Sequence, residues 1–200
     1  MNFLTKLDAL KQVYSSDMKI RENGTILFGL GTIPIAKHML FEPLDNELIE
    51  TYLISQYANT FPSQYIEFLK YSNGANLFMV RMWHTAKRNK IATASGFFTV
   101  YGLPRTPPYA RKKDQEEPFD LRTEDSSRHE EIPFEWLKCA SYVRDYDFHK
   151  RFDLFIDTKT GTAHSCERNT ASVVETWDSL DTALCSIFDS FSEIKSEYDF

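Results

Sequence analysis

Cysteine is scarce in this chain. The three in 200 residues, Cys139, Cys166 and Cys185, share no metal-like spacing. An odd, scattered set builds no disulfide framework and fits buried thiols in a reducing compartment. Cytoplasmic location is the resulting expectation. No apolar run approaches the ~20 residues that a membrane helix needs. Lys6, Asp8 and Lys11 interrupt the place where the apolar part of a signal peptide would sit, so none is expected there. A basic excess is missing too. A net charge of −6 and an isoelectric point near 5.4 lack the footprint of general nucleic-acid binding. Neither direct nucleic-acid contact nor membrane contact is expected. The same balance suits a basic protein partner, and it equally suits plain solubility.

The usual signatures of chemistry are also missing. His38, His84, His129, His149 and His164 are scattered, with no HExxH pattern. His164 and Cys166 would share one face of a strand. Two ligands, however, fall short of the four that a structural zinc site takes. Lys159-Thr160-Gly161-Thr162 is similar to the phosphorylation motif of ion-pumping ATPases, but Thr158 stands where the aspartate is needed. After Gly29-Leu30-Gly31, Pro34 occupies the place of the third glycine of a dinucleotide fingerprint. No P-loop and no GxSxG occur. No catalytic residue, cofactor or metal is expected, and the chain reads as non-enzymatic.

Aromatic residues are plentiful. Sixteen phenylalanines and ten tyrosines can fill the core of one 200-residue domain. Phe3, Leu4, Leu7, Leu10, Val13 and Tyr14 fall at helical spacing within residues 2–14. Residues 26–41, interrupted by Gly29, Gly31 and Pro34, suggest short strands or a buried loop. Asn23-Gly24 reads as a turn. Asp45 is a good N-cap for a second helix burying Leu48, Ile49, Tyr52 and Leu53. A third helix over 62–72 has Pro62 at its first position, Tyr65, Phe68 and Leu69 on one face, and Asn73-Gly74 as its stop. Strand signals cover 77–83, 96–103, 136–142, 152–158, 162–167 and 173–176, with a hairpin turn at Lys159-Thr160-Gly161. A last helix starts near Asp178 or Ser179 and runs to about Ile194, with Leu180, Leu184, Ile187, Phe188 and Phe191 as its stripe. Helices at the ends and strands between them predict α+β with a mainly antiparallel sheet. No internal repeat is visible.

Residues 104–133 differ from the rest. Five prolines and charges of both signs, without periodicity, predict a charged surface insertion. Its carboxylates Glu116, Glu117, Glu124, Asp125, Glu130 and Glu131 are the candidate partner-binding residues. They could meet a basic protein face or mimic phosphates. Six basic residues in the same stretch equally allow a self-neutralising solvated loop. Trp83, Trp136 and Trp177 border predicted strands, either as core packing or as partner anchors.

The run Phe61-Pro62-Ser63-Gln64-Tyr65-Ile66-Glu67-Phe68-Leu69, followed by Ser72-Asn73-Gly74-Ala75, resembles the SUKH superfamily. That superfamily is named for fungal cell-wall synthesis regulators and includes many bacterial immunity proteins. Looser similarity continues in Tyr101-Gly102-Leu103, in Ile132–Leu137, in Asp157–Gly161 and in Trp177–Phe191, so that it spans roughly residues 42–194. The resemblance implies a single SUKH-like domain over 1–200: a twisted, mainly antiparallel sheet flanked by helices. Residues 1–41 would be an N-terminal extension of that fold and 104–133 an insertion. It implies a protein-binding module, foremost an immunity protein neutralising a cognate polymorphic toxin, often a nuclease. The alternative is a regulatory scaffold or adaptor, as among the fungal members. It carries over no catalytic residue. Its motif residues look structural, so they identify a fold rather than a binding surface.

Overall fold

The computed structural model describes residues 1–29, 37–50, 62–86, 89–103, 131–133, 135–144 and 147–192, excepting the side chains of residues 80–96, 148 and 192. The first helix, α1, spans Phe3–Val13. The Asn2 carboxamide oxygen accepts the Thr5 N–H at 2.9 Å, satisfying a donor that a helix start leaves open. Phe3, Leu7 and Leu10 are buried, whereas Val13 is 64% exposed. At about 100° per residue, positions 3, 7, 10 and 14 line up and position 13 falls off their stripe. The predicted stripe was one residue too wide.

Three short strands follow: β1 Met18–Ile20, β2 Ile26–Phe28 and β3 His38–Leu40. Gly24, at φ 80°, turns the chain between β1 and β2. Residues 46–50 are helical (α2), and Asp45 caps them by accepting the Leu48 N–H at 2.7 Å. Ile49 is buried there; Tyr52 and Leu53 lie outside the described residues. Helix α3 covers Ser63–Tyr71 and buries Tyr65, Phe68 and Leu69, the predicted face. Pro62 sits one position before the helix, with ψ 133°, not at its first turn. Its carbonyl accepts from the Tyr65 and Ile66 amides. The helix stops at Ser72 in extended conformation, and the positive φ of Gly74 (96°) comes two residues later, launching the next strand.

The remaining strands are β4 Ala75–Ala86, β5 Asn89–Val100, β6 Trp136–Arg144, β7 Asp147–Asp157, β8 Ala163–Glu167 and β9 Val173–Trp177. Helix α4, Leu180–Ser192, closes the fold. Among the described residues, the nine strands form one antiparallel sheet in chain order. The expected α+β architecture is therefore present. β1 and the first half of β7 carried no sequence signal, because their side chains are largely exposed and alternate poorly. At the predicted hairpin, the Asp157 carboxylate accepts the Lys159 N–H at 2.8 Å, and Gly161 supplies φ 78°.

One face of the sheet carries the main core. Phe28, Leu40, Leu77, Phe98, Leu154 and Ile156 meet Phe3, Leu7, Phe68, Leu184 and Phe188 from the helices. The N-terminal segment is built into this core. Phe3 is 1% exposed, the Phe3 amide donates to Asp181 on α4, and Lys6 pairs with Asp189 at 2.6 Å.

Candidate functional site

Two features stand on the other sheet face and its margin. The first begins with an irregularity in β6. Pairing with β7 slips between Lys138 and Ala140, so Cys139 and Ala140 both pack on the core side. The bulge brings Lys138 and Ser141 to the same outer face, three residues apart, where strict alternation would separate them. Asp153 on β7 lies opposite Ser141. Its side chain is 9% exposed and takes a salt bridge from Lys138 at 2.9 Å and one from Arg168 at 2.6 Å. Arg168 spans the carboxylate with both Nε and Nη2 and also donates to Ser141 at 2.8 Å. The Ser141 hydroxyl spends its one proton on Asp153 at 2.6 Å. Tyr101, at the end of β5, must then be the donor in its hydrogen bond with Ser141. Burial alone would raise the Asp153 carboxyl. The Arg168 hydrogen bond, the Lys138 charge and the Ser141 hydroxyl outweigh it and hold that carboxyl below its ordinary range.

Chemically, this network is saturated. Asp153 is an ionised acceptor enclosed by donors, and Ser141 gives its proton to a carboxylate that is already neutralised. Such a cluster ties β5, β6, β7 and the turn after β8 together; it is poorly set up to take a substrate proton. Tyr101 joins it to the opposite side of the sheet, because its own carbonyl accepts from the buried Tyr65 hydroxyl. There Asn73 clamps Leu103, its amide donating to the Leu103 carbonyl at 2.8 Å and its oxygen accepting the Leu103 N–H at 2.7 Å. A Cβ on Gly102 would stand 2.3 Å from the Asn73 carbonyl oxygen, so only glycine fits. The residues Tyr65, Asn73, Tyr101, Gly102 and Leu103 thus meet at one junction and shape backbone.

The second feature is the β9 edge. Val173 and Val174 are 50% and 44% exposed, and among the described residues the strand pairs with β8 alone. Thr176 and His164 lie opposite each other on the outer face, with Thr176 Oγ1 3.1 Å from His164 Nδ1. The His164 ring lies flat on Trp136, centroids 4.0 Å apart. Burial lowers the His164 imidazole below its usual value, partly countered by Asp157. Trp136 also packs against Ile132, Phe155, Cys166 and Ala171, a small apolar cluster to which no described helix contributes. His164 and Cys166 do share a face, but one stacks on tryptophan and the other is buried in that cluster, with its thiol pushed up to about 11. Among the described residues no group of three or more His, Cys, Asp or Glu could hold a metal ion. Trp177 is partly buried against the main core; the Trp83 side chain is not described.

Of the six candidate carboxylates, Glu116, Glu117, Glu124, Asp125 and Glu130 lie outside the described residues. Glu131 is exposed, next to the buried Ile132, which anchors the return of that segment on the outer face. Sequence reasoning missed Lys138, Ser141, Asp153 and Arg168. The one available signal was Asp153 between Phe152 and Leu154, a charge alternating with core residues; its partners could not be read without the bulge. Among the described residues no helix is long and apolar enough to cross a membrane. Comparison with family models, curated proteins and solved structures finds no match to this chain.

Proposed function

We propose that this chain is a cytoplasmic, non-enzymatic protein-binding module of SUKH-like fold, an immunity protein that neutralises a cognate toxin domain by stoichiometric binding. The observation that carries the binding reading is the β9 edge. Two exposed valines on the last strand of the sheet offer both apolar area and, among the described residues, an unpaired backbone ladder, the combination that accepts an added strand from a partner. The net charge of −6 favours a basic partner, and exposed carboxylates such as Glu131 would steer its approach. The saturated Asp153 network supports a structural rather than a catalytic use of its polar groups.

Co-expression and pull-down with the product of the adjacent gene tests this reading. Capture of a toxin domain in one-to-one complex, weakened by Val174→Lys, is the expected result. A neighbouring gene that encodes no toxin, together with capture of a wall-synthesis or signalling protein at the same edge, would favour the scaffold alternative. Undiminished binding by the Glu130→Lys, Glu131→Lys double variant would remove the acidic segment from the recognition surface.

A further inference from the structure

His38 lies on β3 and is 1% exposed. Its ring is enclosed by aromatic groups: Phe28 of β2 stacks on it at 5.0 Å, Tyr14 beyond α1 stands at 5.4 Å, and Phe78 of β4 meets it edge-on at 5.1 Å. The Phe78 backbone N–H donates to His38 Nδ1 at 3.2 Å. An N–H donor requires a lone pair, so Nδ1 carries no proton and the imidazole is neutral. Phe78 is itself unusual. Its φ is 53°, a left-handed value that costs a bulky residue, and the β4–β5 ladder passes directly from Leu77↔Phe98 to Met79↔Gly96. Its ring packs on Phe188 and Phe191 of α4. The strained residue is therefore held by His38 on one side and by the closing helix on the other.

This contact sits at a short joint of the sheet. β3 pairs with β4 through Met39↔Asn76 and Leu40↔Ala75, flanked by the Met79 N–H to Lys37 carbonyl bond and the Phe41 N–H to Gly74 carbonyl bond. The whole β1–β3 ribbon reaches the larger sheet through it.

We infer that His38 is an acid-sensitive latch that joins the β1–β3 ribbon to the rest of the sheet while its Nδ1 is unprotonated. A proton on Nδ1 turns an acceptor into a donor facing another donor and places a charge on a buried ring packed among aromatic groups. The faces of Phe28 and Tyr14 attract a cation, but they do not replace the lost acceptor for Phe78. Among the described residues, the titratable groups beside the site include Tyr14 and, next to His38 in the chain, Lys37, whose ammonium lies 5.9 Å from the Tyr14 ring; a second cation there opposes a charged imidazole. Protonation is then linked to opening. The joint is fully closed above the unfolded histidine value of about 6.5 and loosens as the pH falls below it, by at most about tenfold in the opening constant per pH unit.

Amide hydrogen exchange on the whole chain at pH 7.5 and 5.5, corrected for intrinsic rates, tests the latch. Phe78 and the β2–β3 amides are expected to lose protection by up to about tenfold, while the β5–β6 amides hold theirs. His38→Asn, whose Oδ1 can accept without titrating, should abolish the change; His164→Asn should leave it intact. Should His38→Asn fail to fold, nitrogen NMR on the wild-type chain reads the His38 tautomer and titration directly. Equal protection of Phe78 at both pH values, or protonation of His38 without loss of Phe78 protection, would overturn the latch.

Discussion

Alternate residues of β7 look in opposite directions. Phe152, Leu154 and Ile156 enter the main core, where the helices pack; Asp153 and Phe155 face away from it. On the helix side the cohesion is apolar burial and ring packing, with Phe3 touching Phe68, Phe98 and Phe188 at once. On the outer side a charged network and two small apolar clusters, one around Phe155 and one of Leu27 with Met79, do the same job. The difference teaches where each kind of force is usable. Apolar burial is non-directional and scales with area, so it needs a second layer. Directional hydrogen bonds can tie strands within one layer, provided every polar group is satisfied.

Phe3→Ala should show the largest effect on this contrast. Removing a fully buried ring from the helix side is expected to cost about 3–5 kcal/mol in denaturant unfolding. A loss below about 1 kcal/mol would mean that α1 is not part of the cooperative core.

Asp153→Ala should cost somewhat less, about 3 kcal/mol. It strands Lys138 and Arg168, and the partial exposure of Arg168 softens the penalty. The pH dependence follows from the lowered folded value of this carboxyl. Its stabilisation is present above the unfolded value, about 3.9, and is lost as pH falls through the folded value. Asp153→Asn should therefore flatten the stability profile below about pH 4. An unchanged acid limb would show that the network contributes little. The latch at His38 acts in a separate window, below about pH 6.5, and on a different joint.

Asn73→Ala leaves the amide and carbonyl of Leu103 without their partner and should cost roughly 2 kcal/mol by the same measurement. Because this junction connects both faces through Tyr101, coupling between Asn73→Ala and Asp153→Ala in a double-mutant cycle would show that the two layers communicate. Strict additivity would show that they are independent.

Val174→Lys is expected to be the mildest for stability, within about 0.5 kcal/mol, since the side chain is exposed on an edge strand. Its effect should appear in partner capture instead. A large loss of stability would make β9 a structural strand and withdraw it as the binding edge.

Much of the helix-covered side was legible in the sequence. Tyr65, Phe68 and Leu69 announce their face by spacing alone, and Asp45 and Gly161 announce a cap and a turn, because these features depend on local backbone geometry. The candidate site was far less legible. Its predicted carboxylates fall mainly outside the described residues, and the network that is seen depends on Lys138 and Ser141 sharing a face, which alternation forbids. Phe78 gives the same lesson, since nothing local foretells a left-handed phenylalanine.

By itself, then, the sequence determined the α+β class, the helix faces and the turn chemistry, all encoded by neighbours a few residues apart. The tertiary structure alone decided the β6 bulge, the partners of Asp153, the acceptor for Phe78 and the strand left at the edge. Each of these rests on residues distant in the chain, such as Asp153 with Lys138 and His38 with Phe78, whose meeting is set by strand register and not by local spacing.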